Sequence, residues 1–320
     1  MERLPYQGWQ DCYQIESGDC RMIATADVGP RVVHLSKGNG INLLKLFEAQ
    51  VGKTGGDQWR VYGGHRVWYA PEDLVDSYIP DNLPVRAEVI SPKEVVFKVC
   101  LKPEVEKTLI MRVANKGKGF ELVNQVRNLG GEVLRTASWG ITSLAPGGVG
   151  FMPLSKASTP EETLCASGRL NTWDYTDFSD PAYVWRSGWV ELHQPRAQSK
   201  QKVGTFLSMP WLAYRLENNL VIKTFDFLRA SMSAADFPDQ GSNVEVYFDP
   251  FLLELEGLSP WTELKPGEAV SHIERLQILS IDPAWSNEKV IELVKDSITS
   301  FSWMDLEDER DQNSNDQTHC

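Results

Sequence analysis

The sequence predicts an all-β protein in which antiparallel sheets pack face to face. Between residues 20 and 280 it consists of short runs rich in β-branched and aromatic residues. Several of these runs alternate apolar and polar side chains, as strands with one buried face do. Turn-forming stretches such as NKGKG, NLGGE, APGGVG and LKPGE separate the runs. Short strands, frequent turns and little helix together indicate a sandwich of sheets.

The strand pattern is clearest in runs that are spread over most of the chain. They are Arg31–Leu35, Glu94–Leu101, Thr108–Val113, Phe120–Val126, Leu220–Phe227, Val244–Phe248 and Ile273–Ile281. The sequence predicts a helix over residues 286–299, because Ser286 or Asn287 can cap it and apolar residues then recur along one face.

The end of the chain has a different composition. Residues 305–320 hold six carboxylates against one arginine and almost no apolar side chain, so we expect an acidic disordered tail. The predicted organisation is one domain over residues 1–304, including the helix, followed by this tail.

Composition argues against nucleic-acid-binding, membrane-spanning and secreted proteins. The chain has 320 residues, 42% of them hydrophobic, and a net charge of −12, which argues against a nucleic-acid partner. No apolar run is long enough to span a bilayer, and the polar N-terminus does not resemble a secretory signal. The five cysteines are scattered, which favours reduced thiols in a cytoplasmic protein, although Cys12 and Cys20 could bridge a hairpin in an oxidising compartment. The oligomeric state is left open.

The stretch Val61–Glu72, VYGGHRVWYAPE, contains the most suggestive mixture of side chains. His65 can exchange a proton near neutral pH, and Arg66 holds a planar cationic fork. Trp68 and its tyrosine neighbours add flat apolar faces with polar edges. This mixture suits a polar, ring-shaped ligand such as a sugar. The alternative is a core histidine beside an arginine that pairs with a structural acid such as Glu72.

Four segments in order resemble the galactose-mutarotase-like superfamily, specifically its branch of bacterial proteins of unassigned activity. They are Asp27–Leu44, the GGHRVW run, Asp239–Tyr247 and Leu253–Arg275, in which a strand with glutamates precedes Pro and an L-x-PGE turn. The resemblance implies a β-supersandwich that binds a saccharide on a concave face. Epimerase activity does not follow from it alone, because the same fold carries lyases, hydrolases and binding domains.

Enzymes of this superfamily use a carboxylate as base, a histidine as acid and an arginine that orients the sugar. The resemblance implies Glu254 as the base, Glu256 at a glutamine position of the family, His65 as the acid and Arg66 as the clamp. The spacing to Pro260 differs by about one residue from the family pattern, so the roles of the two glutamates can be reversed. Alternation along a strand points both glutamates to one face. It points His65 and Arg66 to opposite faces unless the preceding glycines bend the chain.

One departure from true aldose 1-epimerases bears on the activity. Those enzymes carry a second histidine at mid-chain, where this sequence reads ASWGIT over residues 137–142. The usual proton donor to the ring oxygen is therefore missing. His65, Lys223 or a tyrosine would have to replace it.

Further candidates lie outside these motifs. Trp173, Asp174 and Tyr175 resemble a loop on which a sugar ring could stack. Lys223 lies on an apolar strand and could face the cleft, although an exposed lysine is the commoner case. Glu245 could project into the cleft or pair with a neighbouring strand. The last candidate, Asp239, is included as part of the family-like segment, and its simplest role is that of a turn residue before a glycine.

No cofactor is predicted, and histidine spacing argues against zinc. Calcium held by Glu245, Glu254 or Glu256 stays open. The sequence thus predicts a carbohydrate-binding protein whose enzymatic form would be an aldose 1-epimerase-type isomerase. The alternatives are a binding or sensing module without turnover, and a sugar lyase or hydrolase on the same fold. The sugar itself is not specified.

Overall fold

A computed structural model describes residues 1–114, 118–154, 161, 164, 168–226 and 232–298. The chain divides into two compact units, residues 1–279 and 280–320. The predicted acidic tail 305–320 lies outside the described residues, as do Cys165 and Cys320. Cys12 and Cys20 are free thiols.

The first unit consists of two large sheets whose recorded pairings are antiparallel. The first sheet has the order β1-β2-β3-β4-β5-β10-β19-β18-β15-β12, with β20 also paired to β10. Its strands are β1 Glu2–Tyr6, β2 Trp9–Ser17, β3 Cys20–Thr25, β4 Arg31–Lys37, β5 His65–Ala70, β10 Leu134–Leu144, β12 Asn171–Thr172, β15 Gln201–Thr205, β18 Val244–Asp249, β19 Leu252–Leu258 and β20 Thr262–Leu264.

The second sheet has the order β13-β14-β11-β16-β17-β21-β9-β8-β7-β6. Its strands are β6 Arg86–Ser91, β7 Glu94–Lys102, β8 Val105–Val113, β9 Phe120–Asn128, β11 Val149–Pro153, β13 Tyr183–Arg186, β14 Trp189–His193, β16 Trp211–Leu216, β17 Asn219–Phe225 and β21 Ala269–Ser280. Two short 3-10 helices cover Gln194–Arg196 and Ala234–Asp236.

This architecture confirms the predicted all-β sandwich. Each of the seven predicted runs coincides with a strand within a few residues, apart from Phe227, which is not described. The α-helix, α1, covers residues 287–298 in the second unit, close to the predicted 286–299. No helix in the described ranges is long and apolar enough to cross a membrane.

The core lies where alternating side chains of both sheets meet. Strands β7, β8 and β9 contribute Phe97, Met111 and Leu122, which are fully buried together with Val246 and Leu255 of the first sheet. Burying such side chains is the main favourable contribution to folding. It also fixes the faces of the first sheet, so that residues alternate strictly between the core side and the outer side.

Candidate functional site

A cavity of about 660 Å³ lies over the outer face of the first sheet. Its floor is formed by alternate residues of β5, β10 and β19, with β15 and β18 beside them. The lining combines charged and aromatic side chains: Arg66, Glu72, Lys200, Lys202, Asp249, Glu254 and Glu256, with Trp59, Trp68, Tyr78, Trp139, Trp173, Tyr175 and Tyr247. The volume falls within the usual range of ligand sites, about 300–1,000 Å³.

Arg66 and Glu254 form a two-pronged ion pair at the pocket. Arg66 Nη1 donates to Glu254 Oε1 at 2.8 Å and Nη2 to Oε2 at 3.3 Å, and Ser143 Oγ donates to Oε1 at 2.5 Å. Burial alone would raise the pKa of Glu254, but the Arg66 charge and these hydrogen bonds outweigh it and hold the pKa below its usual value. Glu254 is therefore an ionised carboxylate with both oxygens engaged.

Glu256 has a different environment on the same strand. Its Oε2 accepts hydrogen bonds from Trp139 Nε1 at 3.0 Å and from Lys202 Nζ at 3.0 Å, whereas no protein donor is recorded for its Oε1 within the described part of the chain. Burial raises the pKa of Glu256; the Lys202 charge opposes the rise and the negative charge of Glu254 adds to it. Glu256 therefore lines the pocket and binds a proton more readily than Glu254 does.

Lys202 joins Glu256 to a second buried carboxyl. Its Nζ lies 2.7 Å from Glu245 Oε2, and it sits over the rings of Trp139 and Trp173 at 4.6 and 4.7 Å. Burial would lower the pKa of Lys202, but the two carboxylates outweigh this and raise it well above its usual value. Burial raises the pKa of Glu245 well above its usual value; the Lys202 charge opposes this rise, and the negative charges of Asp239 and Glu256 add to it.

Aromatic side chains form one wall of the pocket. Trp68 contacts Tyr78 and Trp139 edge to face, with ring centroids 5.4 and 5.5 Å apart, and Trp59 lies 5.0 Å from Tyr78. Arg66 lies 4.9 Å from the Trp68 ring. Aromatic faces beside polar groups suit the C–H and O–H surfaces of a sugar ring.

The structure separates two predicted residues from this pocket. His65 and Lys223 are fully buried. His65 points from β5 to the core side of the first sheet, and Lys223 of β17 in the second sheet reaches the same side, where both contact Thr142 Oγ1. His65 contacts Thr142 Oγ1 at 2.9 Å and Asn124 Oδ1 at 2.8 Å, and burial lowers its pKa to about 4. The expectation that His65 shares a cleft with Glu254 is therefore wrong. The physical reason is strand alternation: β5 begins at His65, so the bend at the glycines ends before the strand and Arg66 takes the outer face.

The other predicted residues fall into three groups. Trp173 and Tyr175 line the pocket, whereas Asp174 between them is exposed and does not. Glu245 is fully buried and reaches the pocket only through Lys202. Asp239 has a φ of 49° in the turn before a glycine, the simpler role considered for it, and does not line the cavity.

Several pocket residues were missed by the sequence analysis. Lys202 and Lys200 alternate on and beside β15 in the stretch SKQKVG, which by composition resembles an exposed turn. Trp139 lies in the segment ASWGIT, which has no histidine where aldose 1-epimerases carry one. A tryptophan on an apolar run next to a serine gives no local signal that it donates to a carboxylate. Among the described residues, no group of three or more metal-binding side chains is arranged to hold an ion.

The sequence matches no family model and no curated protein at a significant level. Solved structures do match. A galactose mutarotase-like protein from Lactobacillus casei has a TM-score of 0.55 and 8% identity over 84% of this chain and 100% of its own. One from Clostridium acetobutylicum has a TM-score of 0.54 and 13% identity, covering 88% and 98%. A galactose mutarotase related enzyme from Lactobacillus acidophilus has 0.53 and 10%, covering 85% and 98%. At these identities the likeness establishes the fold.

Proposed function

We propose that this galactose mutarotase-like chain binds a saccharide in the pocket over β5, β10 and β19 and exchanges its anomers. The observation that carries the proposal is the pairing of Glu254 and Glu256 on one face of β19 beneath an aromatic wall. Two carboxyls whose environments move their pKa values in opposite directions are a recurring feature of acid–base sites.

Glu256 is the group we assign to proton transfer. Among the residues that the structure describes, none donates a hydrogen bond to its Oε1, and its raised pKa makes it the better proton acceptor. Glu254 is held as a carboxylate by Arg66 and Ser143, so its role is to fix the guanidinium that contacts the sugar. This assignment reverses the one that the family resemblance implied.

Anomer exchange then needs few groups. Glu256 takes the proton of the anomeric hydroxyl, the bond between the anomeric carbon and the ring oxygen breaks, and the open chain recloses on either face. Lys202 is the cation beside Glu256, and its ammonium donates a hydrogen bond to the ring oxygen as negative charge develops there. Reclosure returns the proton to the anomeric oxygen.

A second candidate is a saccharide-binding module without turnover. One observation favours it: no histidine is among the described residues that line the pocket, and both Arg66 and Lys202 already hold carboxylates. A lyase or hydrolase on the same fold would instead use Glu245 or Glu256 as a further carboxyl.

The test combines ligand-induced thermal shifts over a panel of free aldoses with anomer-exchange NMR. We expect at least one aldose to raise the melting temperature and to exchange faster than in buffer. Glu256→Gln should lower the exchange rate by about 10²–10⁴-fold and keep the thermal shift. Glu263→Gln, an exposed carboxyl on β20, is the matched control and should change neither quantity.

Three other outcomes would contradict the proposal. Stabilisation without faster exchange would assign the chain as a binding module. New reducing ends or an unsaturated product from a glycan would assign a hydrolase or lyase. If no saccharide shifts the melting temperature or exchanges, saccharide binding is refuted.

A further inference from the structure

The core side of the pocket floor carries a second charged cluster. Lys223 of β17 donates from Nζ to Leu255 O at 2.8 Å and to Thr142 Oγ1 at 2.9 Å. The same ammonium lies 3.0 Å from Glu274 Oε1. Leu255 is the residue between the two pocket glutamates, so this lysine holds the backbone of β19 at the point from which both glutamate side chains project.

Side chains of β21 in the second sheet reach the back of the pocket floor at a pair of glycines. Gly140 of β10 and Gly257 of β19 are register partners. A Cβ at Gly140 would lie 2.4 Å from Glu274 Oε1, and a Cβ at Gly257 would lie 2.6 Å from His272 Nε2. The paired glycines therefore leave space for Glu274 and His272 of β21 at the back of the floor, where any larger residue would displace them.

The cluster is costly as a source of stability. The side chains of Lys223 and Glu274 are both 0% exposed, and desolvating two charges commonly cancels the gain from their attraction. Packed apolar residues of similar volume would stabilise the core as well or better. Folding stability therefore does not explain Lys223. An apolar residue at this position could not donate the hydrogen bond that Lys223 gives to the Leu255 carbonyl.

We infer that Lys223 is a positioning residue: by holding the Leu255 carbonyl from behind, it fixes where Glu254 and Glu256 enter the pocket. The inference rests on the proposed function in so far as the glutamates act on a sugar. Lys223 itself does not line the pocket and touches no substrate. Glu274 compensates the charge of Lys223, so the pair can be removed together without leaving a buried ion.

The test uses the full chain with Lys223→Met/Glu274→Gln, which removes both charges and the donor to Leu255. We expect kcat for anomer exchange to fall about 10–100-fold, because small displacements of reacting groups are costly, while KM stays within about twofold of wild type. The ¹³C resonances of the Glu254 and Glu256 carboxyls should move. We assign them by their disappearance in Glu254→Gln and Glu256→Gln.

Two variants separate positioning from loss of stability. Lys223→Arg keeps a cationic donor and should retain most of the activity and the carboxyl resonances. Leu35→Ala removes a fully buried side chain from β4, where it is paired with Met22 and not with β17 or β19, and should lower the melting temperature without moving either resonance.

The inference is overturned if the double variant keeps unmoved carboxyl resonances and wild-type kcat, or if Leu35→Ala has equal effects on both. If wild-type protein shows no anomer exchange, the proposed function fails, but the carboxyl resonances still decide whether Lys223 positions the glutamates.

Discussion

Two buried ion pairs lie on opposite sides of the first sheet, and they are built differently: one joins β5 to β19 of that sheet, and the other joins β17 to β21 of the second sheet. On the outer face, the side chains of Arg66 and Glu254 keep 6% and 9% exposure beside the pocket. On the core face, Lys223 and Glu274 have none. Similar charges thus line a cavity in one case and contact only protein in the other. The comparison teaches that an ionisable pair is available for chemistry only where its strand face opens to a cavity.

The largest expected effect comes from breaking the inner pair. Glu274→Gln leaves Lys223 as an uncompensated buried charge, so the free energy of unfolding at pH 7 should fall by about 3–5 kcal/mol in urea titrations. Lys223→Met/Glu274→Gln should recover most of that loss. If Glu274→Gln is as stable as wild type, the prediction is wrong, because Lys223 is then not left as an uncompensated buried charge.

The next effect is a pH dependence on the core face. Burial lowers the pKa of His65 to about 4 from an ordinary 6.5, so the native state excludes a proton that the unfolded chain binds below pH 6.5. Stability should therefore be unaffected by His65 above pH 6.5 and fall as the pH decreases, by roughly 2 kcal/mol at pH 5. Stability measured from pH 7 to 5 in wild type and His65→Gln checks this. Equal slopes in the two proteins would contradict it.

The smallest effect on stability is expected at the outer pair. Arg66→Lys keeps a cation near Glu254 but loses the two-pronged geometry. Because the retained cation still compensates the carboxylate, we expect a loss of about 1 kcal/mol. The sugar-induced rise in melting temperature should shrink much more than the stability does. Loss of several kcal/mol with an unchanged sugar response would mean that this pair is structural like the inner one.

The strands, and the face that Glu254 and Glu256 share, could be predicted from the sequence. The strands were found because alternation and turn residues are local signals, and alternation also put Glu254 and Glu256 on one face. The same rule warned that His65 and Arg66 diverge. Family resemblance nevertheless favoured His65 in the cleft, and the strand that begins at His65 itself refutes that placement.

The partners of Glu256 and Lys223 could not be predicted, because they depend on the order of strands in the sheets. Lys202 and Trp139 reach Glu256 because β15, β18, β19 and β10 are neighbours in the sheet although they are distant in the chain. Glu274 lies beside Lys223 where Gly140 of β10 leaves space for its carboxyl. Neither fact is encoded in a local pattern, so composition and spacing around Lys202 could not distinguish a pocket cation from a solvated one.

The distance of 188 residues between Arg66 and Glu254 along the chain has a consequence for biosynthesis. While the protein is being made, β5 and β10 are complete long before β19 leaves the ribosome. Until then β10 presents an unpaired edge with Trp139 and Ile141, an arrangement that invites association with other chains. A nascent or truncated polypeptide that stops short of residue 252 should therefore need a chaperone to stay in solution.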